Sequence, residues 1–471
     1  MTEQIILFIT LFTVCLAYMG YGYYNSDTKI SQSSYLVSDR NVNSLSLTFS
    51  LTASCFGIWI LIGPAEASTW GGVGAILGYA AGQSFVFLYY SKIGEKVRKL
   101  APSARSLTEV LIQRYDHKVF KLVLILTLLY LYVYVCAEIT AIAKITNIIL
   151  GIELWKTAAL VIICTLIYAL RGGLKISILT DRIQFFIIGI ILLILFLKLS
   201  SLDQLNYLDL NTLKNSNKIN FNFSGITAGL TFFIAVFATN LFDQGIWQRI
   251  YSAKNIENLK KGFVHTFFIV LPVILLLGFV GIYAALSGKV TDPSTIIFTL
   301  IIEQKLIVFK IIILVLALTL VMSSLDTLTA GISSLYIIHE KQINFFGNKN
   351  IFFKILIILS ALIAFYVSSK GLSILYLFLL ADLLCCAAAI PVFYGFYDKA
   401  FKASDAFYGI IIGIISGLLF FPSTDFSQSI LVGNLMSKDC FPPWITSSLL
   451  FWSFIFSLLS PIIVILKKRL I

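Results

Sequence analysis

The sequence predicts an all-α polytopic membrane protein with about thirteen transmembrane helices. Of its 471 residues, 59% are hydrophobic and only 12% are charged, and the mean hydropathy is +0.93. The apolar stretches are long enough to cross a bilayer many times, and the polar segments between them are too short to hold a separate folded domain. We therefore expect residues 1–471 to form a single transmembrane domain.

Apolar runs bounded by charges, glycine or proline define the predicted helices. They lie near residues 4–24, 44–69, 72–91, 120–150, 154–171, 182–200, 224–242, 262–287, 303–338, 351–368, 371–396, 404–422 and 443–466. The short connections 69–72 and 150–154 indicate tight hairpins. Because no basic segment or small-residue cleavage site accompanies the first run, we expect it to be a retained helix rather than a signal peptide.

The distribution of Lys and Arg predicts the orientation. With the N-terminus outside, 25 of the 35 basic residues fall in or beside inside loops, including all eight arginines; nine fall outside, and Lys144 lies within a helix. Basic residues accumulate in cytoplasmic loops, so we expect an N-out, C-in protein of the plasma (inner) membrane. The same bias explains the net charge of +12 without a nucleic-acid partner.

Two predicted helices contain breakers at membrane depth. Helix 44–69 carries Gly57 and Pro64, and the short helix 224–242 leads into a polar, glycine-containing exit at Asp243-Gln244-Gly245. A broken helix frees backbone carbonyls, which must then line a cavity or a binding site. A simple proline kink and an ordinary helix end are the alternatives.

Three carboxylates accompany these segments. Glu66 either faces a substrate or lies near the outer surface. Glu138 is expected to face the bundle interior, as a binding or a structural group. Asp181 either belongs to a loop and pairs with Arg182 or faces inward at the start of the next helix.

The strongest polar signal is Ser323-Ser324-Leu325-Asp326-Thr327, inside the apolar helix 303–338. In a helix, Ser323, Asp326 and Thr327 share a face and Ser324 lies beside it. Hydroxyl groups that bond their own i−4 carbonyls would explain the serines and the threonine but not Asp326. Hydroxyl and carboxylate oxygens are ligands for hard cations, so the run predicts a site for an ion such as Na⁺.

Four segments together resemble the sodium/solute symporter family, which includes carriers of proline, pantothenate, sugars, sialic acid and urea. The segments are Ala53–Trp59, the Gly-Gly-Leu-Lys…Thr-Asp-Arg-Ile-Gln run at 172–184, Asp243–Arg249 and Met322–Thr327. The resemblance implies the leucine-transporter fold, a 5+5 inverted-repeat core. The repeats would be 44–200 and 224–396, with the helix 4–24 and two helices in 404–466 outside the core.

The resemblance also implies an ion site. Its ligands would be the carbonyls of Ala53, Phe56 and Leu320 and the hydroxyls of Ser323 and Ser324. Some members have a second cation site, which here would involve Asp181, Ser323, Asp326 and Thr327. Because Asp326 replaces a hydroxyl of those members, the two carboxylates either share a proton or bind a cation more strongly.

The substrate candidates are Trp59, Glu66, Glu138, Phe237 and Asn240. Phe237 stands where proline carriers have tryptophan and Cys55 where they have aspartate, so proline is not expected as the substrate. No nucleophile–base set, phosphate loop or metal-ligand motif indicates an enzyme, and the seven cysteines show no CxxC spacing.

We therefore expect a sodium-coupled symporter that imports a small polar organic solute, such as an amino acid, a urea-like compound or a carboxylate, by alternating access. The alternative is a transport-inactive membrane sensor or receptor of the same fold with a separate signalling partner. The expected partners are the solute and the lipid bilayer, and the expected state is a monomer or a weak homo-oligomer.

Overall fold

A computed structural model describes residues 2–25, 31–200, 222–286, 306–339, 361–424, 443–446 and 448–470, with isolated positions between these segments. All regular structure in these residues is helical. The helices are α1 (Thr2–Asn25), α2 (Gln32–Val37), α3 (Ser44–Cys55), α4 (Gly63–Leu100), α5 (Leu107–Arg114), α6 (His117–Leu150), α7 (Leu154–Ser200), α8 (Phe223–Asn240), α9 (Gln244–Ser252), α10 (Ile256–Leu286), α11 (Ile307–Ile338), α12 (Ile374–Tyr394), α13 (Ala403–Phe420), α14 (Pro443–Thr446), α15 (Leu449–Leu459) and α16 (Ile462–Leu470).

The predicted all-α membrane architecture is confirmed. Ten helical segments of the described chain are long and apolar enough to cross a membrane. The other three predicted helices have separate explanations: 44–69 is interrupted, 154–171 appears as the shorter apolar segment Leu154–Ile167, and 351–368 lies mostly outside the described residues, of which 361–369 are helical.

Two long helices each turn at a glycine. In α4 the backbone leaves the helical region at Gly72 (φ 56°, ψ −142°), and in α7 it does so at Gly173 (φ 53°, ψ −152°). Side chains disfavour these angles, and a Cβ on Gly173 would also collide with Tyr35. The predicted hairpin at 69–72 is confirmed.

The helix predicted to begin at residue 182 instead resumes directly after Gly173, so that start was wrong. The sequence leaves Asp181 either in a loop or facing inward at the start of this helix, and the structure shows that it faces inward. Thr180 and Asp181 have side-chain partners inside the bundle, and both are buried. Helical backbone therefore continues through them.

The helix that begins at Ser44 is broken before its proline. α3 ends at Cys55, Gly57 is extended (φ −79°, ψ 180°), and a 3₁₀ turn covers Ile58–Leu61. Pro64 lies in the first turn of α4, where a missing amide hydrogen has no cost. The interruption is therefore not a proline kink.

The second break separates α8 from α9. The chain leaves the helix after Asn240 and re-enters it at Gln244. The carboxylate of Asp243 caps α9 by accepting a hydrogen bond from the amide of Ile246 at 2.9 Å. The predicted discontinuity at this exit is thus present and has its own cap.

Glycines allow α4 to pack closely against α8. Gly74 and Gly78 lie directly against the backbone of Gly225 and Gly229, and a Cβ on either would overlap that backbone. Close contact between small residues is a principal source of helix association in membranes, where lipid is as apolar as a leucine side chain. The contact joins α8, which ends at the second break, to α4.

We predict that Gly78→Ala lowers the free energy of unfolding by about 1–3 kcal/mol, because the added methyl group has no space at this backbone contact. The matched control is Gly189→Ala, at an exposed helical position with open space around it. Thermal unfolding of the purified protein in detergent should show a lower Tm for Gly78→Ala and an equal or higher Tm for Gly189→Ala. Equal values for the two variants would contradict the packing argument.

Candidate ion and substrate site

The first break leaves three backbone carbonyls without helical donors. In a continuous helix, the amides of Gly57, Ile58 and Ile60 would bond the carbonyls of residues 53, 54 and 56. Instead Gly57 donates to Cys55 O (3.1 Å), Ile58 donates to a carboxylate, and Ile60 donates to Gly57 O (3.2 Å). The carbonyls of Ala53 and Phe56, both predicted ligands, are therefore available to a cation.

Glu138 connects this break to α11. Its Oε2 accepts hydrogen bonds from the amide of Ile58 at 3.0 Å and from Ser324 Oγ at 2.6 Å. The side chain is fully buried, and its Oε1 has no hydrogen-bond partner among the described residues. A Cβ on Gly57 would overlap Oε1, so glycine is what allows the carboxylate to approach the backbone.

The predicted hydroxyl ligands lie on the same helix as Leu320. Ser324 Oγ is 3.1 Å from Leu320 O, and both residues are buried. Ser323 Oγ instead donates to Asp181 Oδ1 at 2.9 Å. The two adjacent serines thus join two carboxylates, one at the break and one on α7, and their remaining lone pairs are free to coordinate a cation.

A buried guanidinium is the centre of a second network. Arg249 on α9 is 0% exposed, and its Nη2 lies 2.7 Å from Asp181 Oδ2 and 3.1 Å from Thr327 Oγ1. Its Nε donates to Ser50 Oγ at 2.8 Å and its Nη1 to Gly245 O at 3.1 Å. The partner of Asp181 is therefore Arg249, not Arg182 as one sequence interpretation proposed.

Asp326 lies beside this network and is held by hydroxyls. Its Oδ1 accepts from Ser177 Oγ at 2.8 Å, and its Oδ2 accepts from Thr180 Oγ1 at 2.9 Å. Ser177 also lies 3.3 Å from Arg249 Nη2, so one hydroxyl connects the carboxylate to the guanidinium. The four residues predicted for a second cation site, Asp181, Ser323, Asp326 and Thr327, thus lie together, and Arg249 lies among them.

The substrate candidates are divided between two places. Trp59 is 4% exposed, donates from Nε1 to Cys55 O at 3.0 Å and stacks on Tyr79 with ring centroids 5.7 Å apart. Glu66 is buried in the first turn of α4, and Gly63 in that turn lies against the hydroxyl of Tyr79. These two candidates share the region just beyond the first break, so Glu66 is an interior group.

Asn240 ends α8 and pairs with Gln83 through reciprocal amide hydrogen bonds of 2.9 and 3.3 Å. Gln83 also lies 2.9 Å from Cys55 Sγ, which places Asn240 next to the first break. Phe237 points elsewhere: it packs on Phe233 and Tyr89 and lines a lateral cavity of about 440 Å³. The structure does not bring Phe237 together with the other substrate candidates.

Several central residues were not singled out from the sequence. Asp382 interrupts the apolar run of α12 and is 7% exposed, and Asp243 and Gln83 are also buried. Asp382 carried the same signal as Asp326, a carboxylate inside an apolar helix. The charge distribution places Arg249 in or beside an inside loop, whereas the structure buries it completely.

The comparisons with known proteins agree with this geometry. The sequence profile of the sodium:solute symporter family matches residues 35–413. The chain belongs to this family. The resemblance of the sequence to this family is thereby confirmed. The prediction of a multi-pass membrane solute transporter rather than an enzyme is also confirmed.

The chain is also similar to individual transporters, one by sequence and two by solved structure. Over 380 residues it is 23% identical to the spermidine transporter DUR31 of Candida albicans, which covers 79% of this chain and 71% of that protein. The fold is similar to that of a Na⁺-coupled sialic acid symporter in a substrate-bound outward-open state, with a TM-score of 0.72 and 17% identity. The match covers 99% of this chain and 98% of that one. The fold is also similar to that of MHP1, a nucleobase-cation-symport-1 family transporter, with a TM-score of 0.51 and 14% identity. That match covers 93% of this chain and 95% of MHP1. These likenesses establish the leucine-transporter fold.

We predict that Arg249→Ala destabilises the symporter by about 3–5 kcal/mol, because it leaves the buried Asp181 without its cation. The double variant Arg249→Ala/Asp181→Asn should lose less than the sum of the two single losses. The matched control is the exposed pair Lys261–Glu257, with side chains 59% and 70% exposed, whose coupling should be much weaker because solvent screens it. Strict additivity in a thermal-unfolding cycle at Arg249 and Asp181 would contradict this account.

Proposed function

We propose that this chain is a Na⁺-coupled symporter that imports a small polar organic solute by alternating access. The observation that carries the proposal is the carboxylate oxygen of Glu138 that joins Ile58, at the break, to Ser324. This shared oxygen supports an ion site between the free carbonyls of the break and the hydroxyl of Ser324. Oxygen ligands of this kind suit Na⁺ in size and charge.

In the proposed site, the carbonyls of Ala53, Phe56 and Leu320 and the hydroxyls of Ser323 and Ser324 hold the ion. The unpartnered Oε1 of Glu138 contributes negative charge close to it. An ion there fixes the irregular backbone between α3 and α4, which also carries Trp59. Na⁺ therefore prepares one wall of the solute site.

Coupling follows from this shared wall. When two ligands stabilise the same occluded state, each raises the affinity for the other by an equal factor. The membrane potential adds about 2.3 kcal/mol per charge per 100 mV to the driving force for import. The inverted repeats, 44–200 and 224–396, would supply the rocking motion that exposes the site to each side.

The second cation position differs from the first. Arg249 already donates to Asp181 and to Thr327, so a positive charge is covalently present there. We infer that this guanidinium takes the place of a second ion, and that coupling uses the first site alone. The proton shared between Asp181 and Asp326, the other sequence-based alternative, is unnecessary when a cation lies between them.

The remaining parts of the proposal rest on the distribution of basic residues and on the similarity to a known transporter. The excess of Lys and Arg in the inside loops supports an N-out, C-in orientation in the plasma (inner) membrane. Spermidine, the substrate named for the relative from Candida albicans, falls within the proposed class of small polar organic solutes. We propose that the protein functions as a monomer or a weak homo-oligomer.

We predict that Ser324→Ala raises the half-saturating Na⁺ concentration at least tenfold, because a ligand and the contact with Glu138 are both lost. The readout is the thermal stabilisation of the purified protein by NaCl relative to KCl of equal concentration. Wild type should show a Hill coefficient near 1. The control, Ser333→Ala on the same helix, removes a hydroxyl that bonds Tyr35 and should leave the Na⁺ response unchanged.

The transport test uses proteoliposomes and a panel of solutes. A Na⁺ gradient should drive accumulation of at least one of them, and replacing Na⁺ by K⁺ should abolish it. Accumulation that is unaffected by this replacement and by Ser324→Ala would overturn the sodium assignment. Absence of both accumulation and solute counterflow across the panel would favour the transport-inactive sensor.

A further inference from the structure

Resting on the proposed transport function, we propose that the solute is an organic ammonium cation, bound between Asp382 of α12 and Asp243 at the second break, with tyrosine rings around it. The two carboxylates supply charge and the rings supply a polarisable wall.

The described part of the bundle buries many more acids than bases. Six buried carboxylates belong to Glu66, Glu138, Asp181, Asp243, Asp326 and Asp382, whereas Arg249 is the one buried Lys or Arg side chain. Arg249 neutralises Asp181, and one Na⁺ at the first site offsets Glu138. Several carboxylates remain in a region where an unpaired negative charge is very costly.

Asp382 shows this imbalance most directly. It is 7% exposed, and among the described residues the hydroxyl that interacts with it is Thr239. Thr239 Oγ1, however, donates its proton to Ala235 O at 2.7 Å. One hydroxyl proton is thus divided between that carbonyl and the carboxylate of Asp382, which keeps acceptor capacity for a further donor.

Asp243 acts on the same interior. One of its oxygens caps α9, while Oδ2 is 3.4 Å from Tyr130 Oη, a long hydrogen bond. The ring of Tyr130 lies 5.8 Å from that of Tyr134, and Tyr134 contacts Phe378 of α12 at 5.0 Å. Phe378 lies one helical turn before Asp382 and on the same face, so these rings connect the neighbourhoods of the two carboxylates.

Aromatic rings form the rest of the region. The ring centroids of Tyr130 and Tyr134 on α6 lie 5.8 Å apart. The ring of Tyr79, on α4, stacks on that of Trp59. Tyr134 lies one helical turn before Glu138 on α6, and its neighbour Tyr130 contacts Asp243, so the two rings connect the proposed ion site to the second break. Tyrosine and tryptophan faces attract ammonium groups by about 1–2 kcal/mol when water is excluded.

An inorganic cation fits this region less well than an organic one. In the described residues, no group of three or more His, Cys, Asp or Glu side chains converges on a point where a metal ion would bind. The acids are instead spread along the interior and separated by rings. That spacing matches a ligand with an alkyl body and one or more ammonium groups.

The test is a charge series on the full-length protein in detergent, in NaCl and in KCl of equal concentration. The probes are ethylamine, 1,4-diaminobutane and spermidine as cations, butane-1,4-diol as the neutral match and succinate as the anionic match. Thermal stabilisation and calorimetric binding should appear for at least one amine, should be at least tenfold stronger in NaCl, and should be absent for the diol and for succinate.

Asp382→Asn should then weaken amine binding at least tenfold while the stabilisation by Na⁺ alone stays unchanged. The control is Glu257→Gln, which removes an exposed carboxylate and should affect neither response. If Asp382→Asn does not fold, the wild-type charge series still decides the question.

The outcomes separate this inference from the proposed function. Na⁺-dependent binding of the diol or of succinate in preference to the amines would overturn the cation assignment and leave the symporter proposal standing. Amine binding that is equal in NaCl and KCl would support the cation site and contradict sodium coupling. Amine binding that Asp382→Asn leaves unchanged, or no amine binding by the wild type, would overturn the assignment of this site.

Discussion

The hydrogen bonds of Glu138 are the interaction on which the rest of this structure depends. Away from water, an interrupted helix leaves backbone groups that must be satisfied within the protein. One carboxylate oxygen accepts hydrogen bonds from the amide of Ile58 and from the hydroxyl of Ser324, so the break is fixed to α11. Gly57 makes the approach sterically feasible, and the carbonyls of Ala53 and Phe56 are left without helical donors, as the proposed ion site requires.

The buried charges divide into two groups with different consequences. Arg249 and Asp181 form a closed pair, surrounded by hydroxyls that complete their hydrogen bonds, which is the condition under which buried ions are tolerated. Asp243 is less completely satisfied, because its Oδ2 has one long hydrogen bond to Tyr130, and Asp382 is buried in the apolar helix α12. The first group therefore stabilises the fold between α7 and α9, whereas the second is the one we propose to attract a cationic ligand.

Much of this was predictable because a membrane restricts what a sequence can do. Long apolar runs must be helices, and the Ser323–Thr327 run was conspicuous because hydrocarbon offers it no water. The sequence could not reveal which partners satisfy the polar groups: Asp181 pairs with a residue 68 positions away, and the hydroxyl of Ser324 bonds a carboxylate 186 positions away. For the same reason the helix start predicted at 182 was late, and Asp382, a single acid in an apolar run, went unnoticed.

The central claim is that Na⁺ orders the break between α3 and α4, and hydrogen–deuterium exchange of the wild-type protein tests it most directly. Peptides covering residues 53–62 should exchange more slowly in NaCl than in KCl of equal concentration, because the ion immobilises carbonyls next to the amides of Gly57, Ile58 and Ile60. Peptides from the continuous helix Ile256–Leu286 should not change. Identical exchange of residues 53–62 in the two salts would contradict the account.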